Sequence, residues 1–446
     1  MKKGNLTKKA LSVLMVCSIF MAGVTGCGTS STSTTAAGTK AAAAATTKAA
    51  GSAAAGTTAA GTAEKPKKQY VIGIAEAQAN DEVSTRRAYL EKFIAPTYNV
   101  KFIFSETLKD DAATKAFIEN CADSGANAVI DFKSISGQMA KLCEQNNMIY
   151  AVNGTYEQAP ELLNDSYPKF AGCVGANNEQ VGSLYKDWLE KNASADGSEG
   201  FLVSTSLASS GNTQHIEITR AILTGLQEKY GITYEQPIDK LIASSETTNV
   251  ANSKNLLITL YPGSPNKDTW LPGVSSLLQS GKYGVLLSSG QTYNQSAKVV
   301  DEVEKSFKKD IKVASVGALG TTLSTAFNTK DQSGNPSVDL VTVKSGSVLT
   351  ACLFAITYNA LTGDISKTLR ADGKPLNYRF NFIAVTSAKQ LEDMKGWDDR
   401  DAGNWIANKT FVDSMLTIAN PNVTGKDIEK IMENVSYDSI KKMMTK

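Results

Sequence analysis

The feature that most constrains the fold is a regular alternation of short apolar runs and amphipathic helical patterns. From Tyr70 onward, runs rich in β-branched residues begin about every 20 to 30 residues, which is the length of a βα unit. Runs such as VIGI (71–74) show almost no polar and apolar alternation, as in strands that are covered on both faces. Because crossovers between parallel strands are right-handed, helices then lie on both faces of a parallel sheet. The pattern predicts a doubly wound α/β fold.

The βα units fall into two groups, and the second group begins after residue 170. We therefore expect two doubly wound parallel-sheet lobes joined by a hinge. In open α/β sheets, ligands bind beyond the carboxyl ends of the strands. Two such lobes facing each other would enclose a ligand in a cleft and close on it by a hinge motion.

Residues 1–26 have the pattern of a secretory signal peptide. Four lysines and no acid occur in the first ten residues, and the stretch from Leu11 to Val24 is almost wholly apolar. As a helix this stretch would rise about 21 Å, which is too short for a hydrocarbon core of about 30 Å. A basic start, a short apolar middle and small residues at the end are typical of a secretory signal.

The motif VTGC (24–27) resembles the lipobox of bacterial lipoproteins, in which Cys27 would carry a diacylglycerol on its sulfur and an acyl group on its amine. Acyl chains anchor a protein because each buried CH₂ contributes roughly 0.8 kcal/mol. The alternative is an ordinary secreted protein whose cleavage site contains a cysteine. Residues 28–68 are nearly all Ala, Thr, Ser and Gly, a composition that predicts a disordered tether or one with partly helical Ala runs. We expect a protein anchored by lipid on the extracytoplasmic face of the cell membrane.

Composition argues against several other functions. The net charge is +2 and the charges are dispersed, so a nucleic-acid partner is not expected. The single histidine, His215, rules out a His-based triad elsewhere in the chain and a multi-histidine zinc site. The four cysteines of the mature chain show no metal-binding spacing. Cys121 and Cys143 are expected as buried thiols, with a disulfide between them as the alternative. We expect no cofactor and no metal, and His215 in a loose surface role.

Four segments, taken together, resemble type I periplasmic binding proteins, the sugar-binding lipoprotein branch related to LacI-type regulators. The resemblance covers roughly Gln69 to Trp397, and a signal peptide stands where the regulators have a DNA-binding headpiece. This difference favours a receptor over a repressor. The segments are SGANAVIDFKS (124–134), VGANNEQVGSLYKDWL (174–189), HIEITRAILTGLQEKYG (215–231), and VASVGALG (313–320) followed by DLVTVKSGSVLTACLFAITYNALTGD (339–364).

The resemblance implies a particular domain organisation. The first lobe would comprise 69–176, with 318–362 returning to it. The second lobe would comprise 177–317, with about 377–397 returning to it. Residues 398–446 add helical sequence beyond the family pattern.

The resemblance also implies ligand-binding residues. Asp131 would be the cleft acid at the end of the third strand, and Glu76 and Asn80 would lie in the loop after the first strand. Gln291 would follow another strand, and Lys344 stands where the family often offers Gln. The alternative for Asp131 and Asn80 is helix capping, and for Lys344 a solvated loop charge.

The chain departs from the family where sugar binders usually carry an acid, because GALG (317–320) has none. Lys344 could instead meet an anionic group on the ligand. Trp270 and Tyr293 are candidates for a stacking face, with core packing as the alternative.

The resemblance implies a monomeric receptor without enzymatic activity, which hands a small polar solute, a sugar or sugar derivative, to an ABC permease. One alternative is a ligand-sensing receptor for a membrane sensor kinase. A second is a serine hydrolase of the penicillin-binding type, because SLYK (183–186), SGN (210–212) and KSG (344–346) occur in the order that those enzymes use.

Overall fold

The computed structural model describes residues 68–444, with gaps at 80, 156–157, 164–166, 207–211, 264, 266, 320, 332–333, 364 and 370–371. These residues belong to one compact unit, Glu64–Lys446. The predicted signal peptide, Cys27 and nearly all of the predicted tether lie outside the described residues, as does Asn80.

Two largely parallel β-sheets organise the described part of the chain. The strands are β1 (Tyr70–Glu76), β2 (Val100–Thr107), β3 (Ala128–Asp131), β4 (Ile149–Asn153), β5 (Phe170–Ala176), β6 (Phe201–Thr205), β7 (Thr248–Asn249), β8 (Ile258–Pro262), β9 (Val285–Ser288), β10 (Lys312–Ala318), β11 (Leu340–Lys344), β12 (Leu376–Phe380) and β13 (Ile383–Val385). The first sheet has the order β12-β5-β4-β3-β1-β2, and its pairs are all parallel. The second has the order β13-β11-β10-β9-β6-β8-β7, and only the edge strands β13 and β7 pair antiparallel. Each sheet forms the centre of one lobe.

Helices connect and cover these strands. They are α1 (Asp81–Tyr89), α2 (Ala95–Tyr98), α3 (Asp111–Asp123), α4 (Gly137–Gln145), α5 (Asn178–Asn192), α6 (Thr213–Tyr230), α7 (Ile238–Ile242), α8 (Trp270–Leu278), α9 (Tyr293–Phe307), α10 (Thr321–Asn328), α11 (Gly346–Leu361), α12 (Ala388–Trp397), α13 (Lys409–Met415), α14 (Gly425–Glu433) and α15 (Tyr437–Met444). Among the described helices, none combines the length and apolar character that a membrane crossing requires.

The chain passes between the lobes at points that differ from the predicted ones. Strand β11 pairs with β10 in the second sheet, so the return to the first lobe begins at α11 and not at residue 318. Strand β12 pairs with β5 in the first sheet, so the return to the second lobe begins after Phe380. An apolar run predicts a strand, but its partner is set by packing. Here α11 is buried on nearly every side and lies against β3, β4 and β5.

The helices after residue 398 pack mainly on the first lobe and share its core, and α15 also contacts the second lobe. The Tyr89 hydroxyl donates to the Ala407 carbonyl at 2.7 Å, and its ring meets Trp405 edge-on at 5.2 Å. The Asn359 amide donates to the Met415 carbonyl at 2.9 Å. Farther along, the Tyr437 hydroxyl donates to Asp393 on α12 at 2.6 Å. The predicted helical extension is therefore an integral part of the fold.

Strand β1 orients the amino-terminal end of the described chain. It begins at Tyr70 and ends at Glu76. Because the first sheet is parallel, Tyr70 lies on the edge opposite the carboxyl ends of β3, β4 and β5.

Candidate ligand-binding site

A polar pocket lies between the two lobes, where strands β4, β5 and β11 end. Its cavity volume is about 90 Å³. The first lobe contributes the residues after β4, and the second contributes the start of α5, the first turns of α6 and the end of β11. The lining residues are Asn153, Gly154, Thr155, Gln158, Gly175, Ala176, Asn178, Gln214, Glu217, Lys344, Leu349 and Phe380.

A hydrogen bond joins the lobes at this pocket. The Gln158 side chain of the first lobe donates from Nε2 to Thr213 Oγ1, at the start of α6, at 2.6 Å. Its Oε1 accepts from the Thr155 backbone at 2.9 Å, which orients the amide. The lobes are therefore in contact around the cavity.

Opposite charges lie near each other beside the pocket. Lys344 is half-buried at the end of β11, with Nζ 3.4 Å from Gln214 Oε1. The Lys344 ammonium is the main cause that lowers the pKa of Glu82, on α1 of the first lobe. Arg86 Nη1, 3.7 Å from Glu82, adds to this effect. Glu82 is thus held ionised beside the cleft.

His215 is more constrained than the loose surface residue that we expected. It is half-buried, its Nδ1 lies 2.5 Å from Ser206 Oγ, and a Cβ added at Gly290 would lie 3.0 Å from its ring. Burial, followed by the charge of Lys344, lowers the pKa of His215 to about 4. The imidazole is therefore neutral at neutral pH.

Two buried oxygens at the pocket lack hydrogen-bond partners among the described residues. They are Asn178 Oδ1 and Thr155 Oγ1, one from each lobe. The other end of the Asn178 amide donates to Glu217 Oε2 at 2.6 Å, which fixes its orientation. A buried polar atom without a partner costs free energy, so both oxygens favour a ligand that can donate to them.

Glu76 lies inside the first lobe and not on the pocket. Its carboxylate forms a two-fold hydrogen bond with Arg86, at 2.8 and 2.9 Å. The Arg86 guanidinium stacks on the Phe132 ring at 3.8 Å. Burial raises the pKa of Glu76 although Arg86 opposes this effect. Arg86 is thus the partner of Glu76 within the first lobe, and ligand binding by Glu76 stays a prediction.

Asp131 is completely buried and holds the loop after β3. Its Oδ1 accepts from the backbone of Lys133 at 2.7 Å and of Ser134 at 2.9 Å, and its Oδ2 accepts from the Tyr150 hydroxyl at 3.0 Å. Burial raises the pKa of Asp131 to about 6. Both oxygens are occupied within the first lobe, in the turn after β3 and not at a helix start, because Ser136 caps α4.

Of the other described candidates from the sequence, one lines the pocket and three do not. Lys344 lines the pocket, whereas Gln291 is exposed and does not. Trp270 and Tyr293 are buried in the core, and the Trp270 indole donates to Ser204 at 3.1 Å.

Two motifs of the hydrolase alternative, SLYK and KSG, are not assembled, and most of the third, SGN (210–212), lies outside the described residues. Ser183 is exposed, and Lys186 binds Glu228 on α6 at 2.8 Å. Neither lines the pocket that contains Lys344. Ser345 caps α11 and donates to Asp398 at 3.1 Å.

Cys121 and Cys143 are buried free thiols. Burial raises the pKa of Cys121 to about 12, so this thiol is inert.

No protein-family model and no curated protein matches this sequence. Solved structures do match. An ABC transporter solute-binding protein from Burkholderia graminis C4D1M, in complex with D-arabinose, has a TM-score of 0.50 at 14% identity, covering 72% of this chain and 96% of that chain. An ABC transporter solute-binding protein from Bacillus halodurans C-125 with bound myo-inositol has a TM-score of 0.47 at 14% identity, covering 74% and 98%. A carbohydrate transporter solute-binding protein from Agrobacterium radiobacter, in complex with D-arabinose, has a TM-score of 0.48 at 13% identity, covering 73% and 97%.

Together with the two parallel-rich sheets, the similarity to the Burkholderia protein shows that this chain has the type I periplasmic binding protein fold. The two-lobed α/β architecture predicted from the sequence is confirmed.

Proposed function

We propose that this protein is an extracytoplasmic solute-binding lipoprotein of an ABC importer. It captures a small polar solute, a sugar or sugar derivative, between its lobes and passes it chemically unchanged to a permease. The fold shared with the D-arabinose complex from Burkholderia supports this proposal.

The observation that carries the proposal is the pair of unpartnered oxygens, Asn178 Oδ1 and Thr155 Oγ1, at a pocket between the lobes. A solute with several hydroxyl groups can donate to both and so favour the closed arrangement. Lys344 and Glu217 add charged groups of opposite sign at the same pocket. They can bind further hydroxyls, and Lys344 can also bind an acidic group on a sugar derivative.

The proposal requires the lobes to separate for ligand entry. The cavity of about 90 Å³ is well below the roughly 300 to 1,000 Å³ typical of small-molecule pockets, so it is too small for a sugar. Two of the segments that cross between the lobes are hydrogen-bonded to each other. The Asn177 backbone donates to the Phe380 carbonyl at 2.8 Å, and the Phe382 backbone donates to the Gln180 side chain at 2.6 Å. They form a natural hinge.

A thermal-shift screen across sugars, sugar acids and polyols tests this function. A ligand at 100 times its dissociation constant should stabilise the protein by about 2.7 kcal/mol. Thr155→Val removes one unpartnered oxygen, so it should leave the unliganded protein as stable as before and weaken binding about tenfold. Gln291→Ala, on the exposed side, is the matched control and should bind normally. The proposal fails if no compound raises the melting temperature, and the pocket assignment fails if Thr155→Val binds like the unaltered protein.

The lipid anchor at Cys27 belongs to the same proposal and rests on the VTGC motif and the signal peptide before it. In bacterial cells, Cys27→Ser should prevent labelling by palmitate and move the protein from the membrane fraction to the soluble one. A variant that remains labelled and membrane-bound would remove the anchor from the proposal without affecting the binding function.

A further inference from the structure

A cluster of carboxylates lies at the edge of the second sheet that is remote from the pocket. Asp310 lies two residues before β10, whose other end lies beside Lys344. One carboxylate oxygen each from Glu304, Asp310 and Asp331 lie within 4.8 Å of one another. These residues come from the end of α9, the loop before β10 and the loop after α10. The cluster therefore gathers three separate segments of the lobe.

Glu304 distinguishes this cluster from ordinary surface acids. Glu304 is only 3% exposed. Its Oε1 accepts from the Ile311 backbone at 2.8 Å, whereas its buried Oε2 has no hydrogen-bond partner among the described residues. A buried carboxylate oxygen without a partner is costly unless a proton or a cation satisfies it.

The surrounding groups hold the other two carboxylates in place. The Asn335 amide donates to Asp310 at 3.2 Å, and its backbone donates to Asp331 at 2.9 Å. Lys312 Nζ pairs with Asp310 at 2.9 Å.

The geometry points to a divalent-cation site of the Ca²⁺ class, with Glu304, Asp310 and Asp331 as protein ligands. Ca²⁺ takes oxygen ligands at about 2.3 to 2.6 Å, so ligands on opposite sides of the ion lie about 5 Å apart. Oxygens that lie within 4.8 Å of one another can share one such ion. Three carboxylates from separate segments favour Ca²⁺, which accepts irregular oxygen cages, over Mg²⁺, which usually keeps several waters and only one or two carboxylates. Sequence reasoning missed the site because it searched for Cys and His spacings.

A bound ion would connect the end of α9 to the loop before β10 and to the loop after α10. Because it lies at the amino edge of the sheet, bound Ca²⁺ stabilises the second lobe without touching the solute. Metal binding and solute binding are therefore separable in experiments.

Calorimetric titration of the chelator-treated full-length protein with CaCl₂ tests the inference. We expect one site with a dissociation constant between about 10⁻⁶ and 10⁻³ M, accompanied by a raised melting temperature. Glu304→Gln keeps the acceptor for the Ile311 backbone and should weaken binding at least tenfold. The matched control is Glu302→Gln, an exposed neighbour on the same helix, which should bind as before.

Asp331→Asn provides a second variant if Glu304→Gln does not fold, and it should also weaken binding at least tenfold. Absence of saturable binding up to about 10 mM CaCl₂ would overturn the inference. Equal affinities of Glu304→Gln and Glu302→Gln would overturn it as well. Equal affinities for CaCl₂ and MgCl₂ would overturn the assignment to the Ca²⁺ class.

Discussion

Removal of residues 398–446 should leave the rest of the chain unable to fold. This segment places large apolar side chains in the main core, where they are almost completely buried: Trp405, Ile406, Phe411, Val412, Met415, Leu416, Ile428, Met432 and Ile440. Burying one such side chain contributes about 1.5 to 3 kcal/mol. Their sum exceeds the net stability of about 5 to 15 kcal/mol that is typical of a domain.

Polar groups of the first lobe would also lose their partners in the truncated chain. Asn359 is fully buried, and it donates to the Met415 carbonyl and accepts from the Thr417 backbone, each at 2.9 Å. The buried Tyr89 hydroxyl would lose its bond to Ala407. Each unsatisfied buried group costs about 1 to 3 kcal/mol.

Circular dichroism and limited proteolysis of a chain ending at Trp397 would measure this effect. A chain ending at Glu433, which loses only α15, is the graded comparison and should fold with reduced stability. Cooperative unfolding of the shorter chain at the temperature of the full-length protein would show that the segment is dispensable.

Replacement of Asp131 should produce opposite results for two similar variants. Asp131→Ala removes the acceptor for the Lys133 and Ser134 backbones and should cost about 3 kcal/mol. Asp131→Asn keeps that acceptor, and its amide can donate to Tyr150, whose hydroxyl then donates to the Ser134 carbonyl. We expect Asp131→Asn to fold with stability equal to or above that of the unaltered protein at neutral pH.

The pH dependence separates these two variants further. Burial raises the pKa of Asp131 from 3.8 to about 6, so the folded state binds this proton more tightly than the unfolded state. Stability from this group is therefore present at low pH and is lost as the pH rises from about 4 to 6, by about 3 kcal/mol at roughly 1.4 kcal/mol for each unit.

Urea unfolding at pH 4 and pH 7 measures this effect. The stability of Asp131→Asn relative to the unaltered protein should increase between the two values. A difference that does not change with pH would contradict the buried titration of Asp131. A normal apparent stability of Asp131→Ala would contradict its structural role.

The sequence supports the fold better than the site, for a physical reason. Alternating strand and helix patterns are local, and they identify the βα units correctly. Sheet membership of β11 and β12 depends on how α11 packs, which no local pattern records. The same limit applies to acids at strand ends, because a carboxylate there can bind a ligand or a neighbouring group. Asp131 accepts a hydrogen bond from Tyr150, and Glu76 accepts one from Arg86, and both partners come from other parts of the chain.

Lys344 could be predicted because it stands where the family that the sequence resembles often has Gln. The structure places Lys344 in the lining of the pocket. Asn178 lies in the segment that crosses to the second lobe after β5. The polar sequence around it is as typical of a helix start as of a ligand-binding site. Gln158 gains its role only from the approach of α6 in the other lobe. Such contacts between distant segments have no sequence signal of their own.

The direction of β1 has a practical consequence. Because Tyr70 lies on the edge of the first sheet opposite the strand ends that form the pocket, whatever precedes it joins the protein away from the solute entrance. A sensor chip or fluorescent fusion attached at that end would leave both lobes free to report on solute capture.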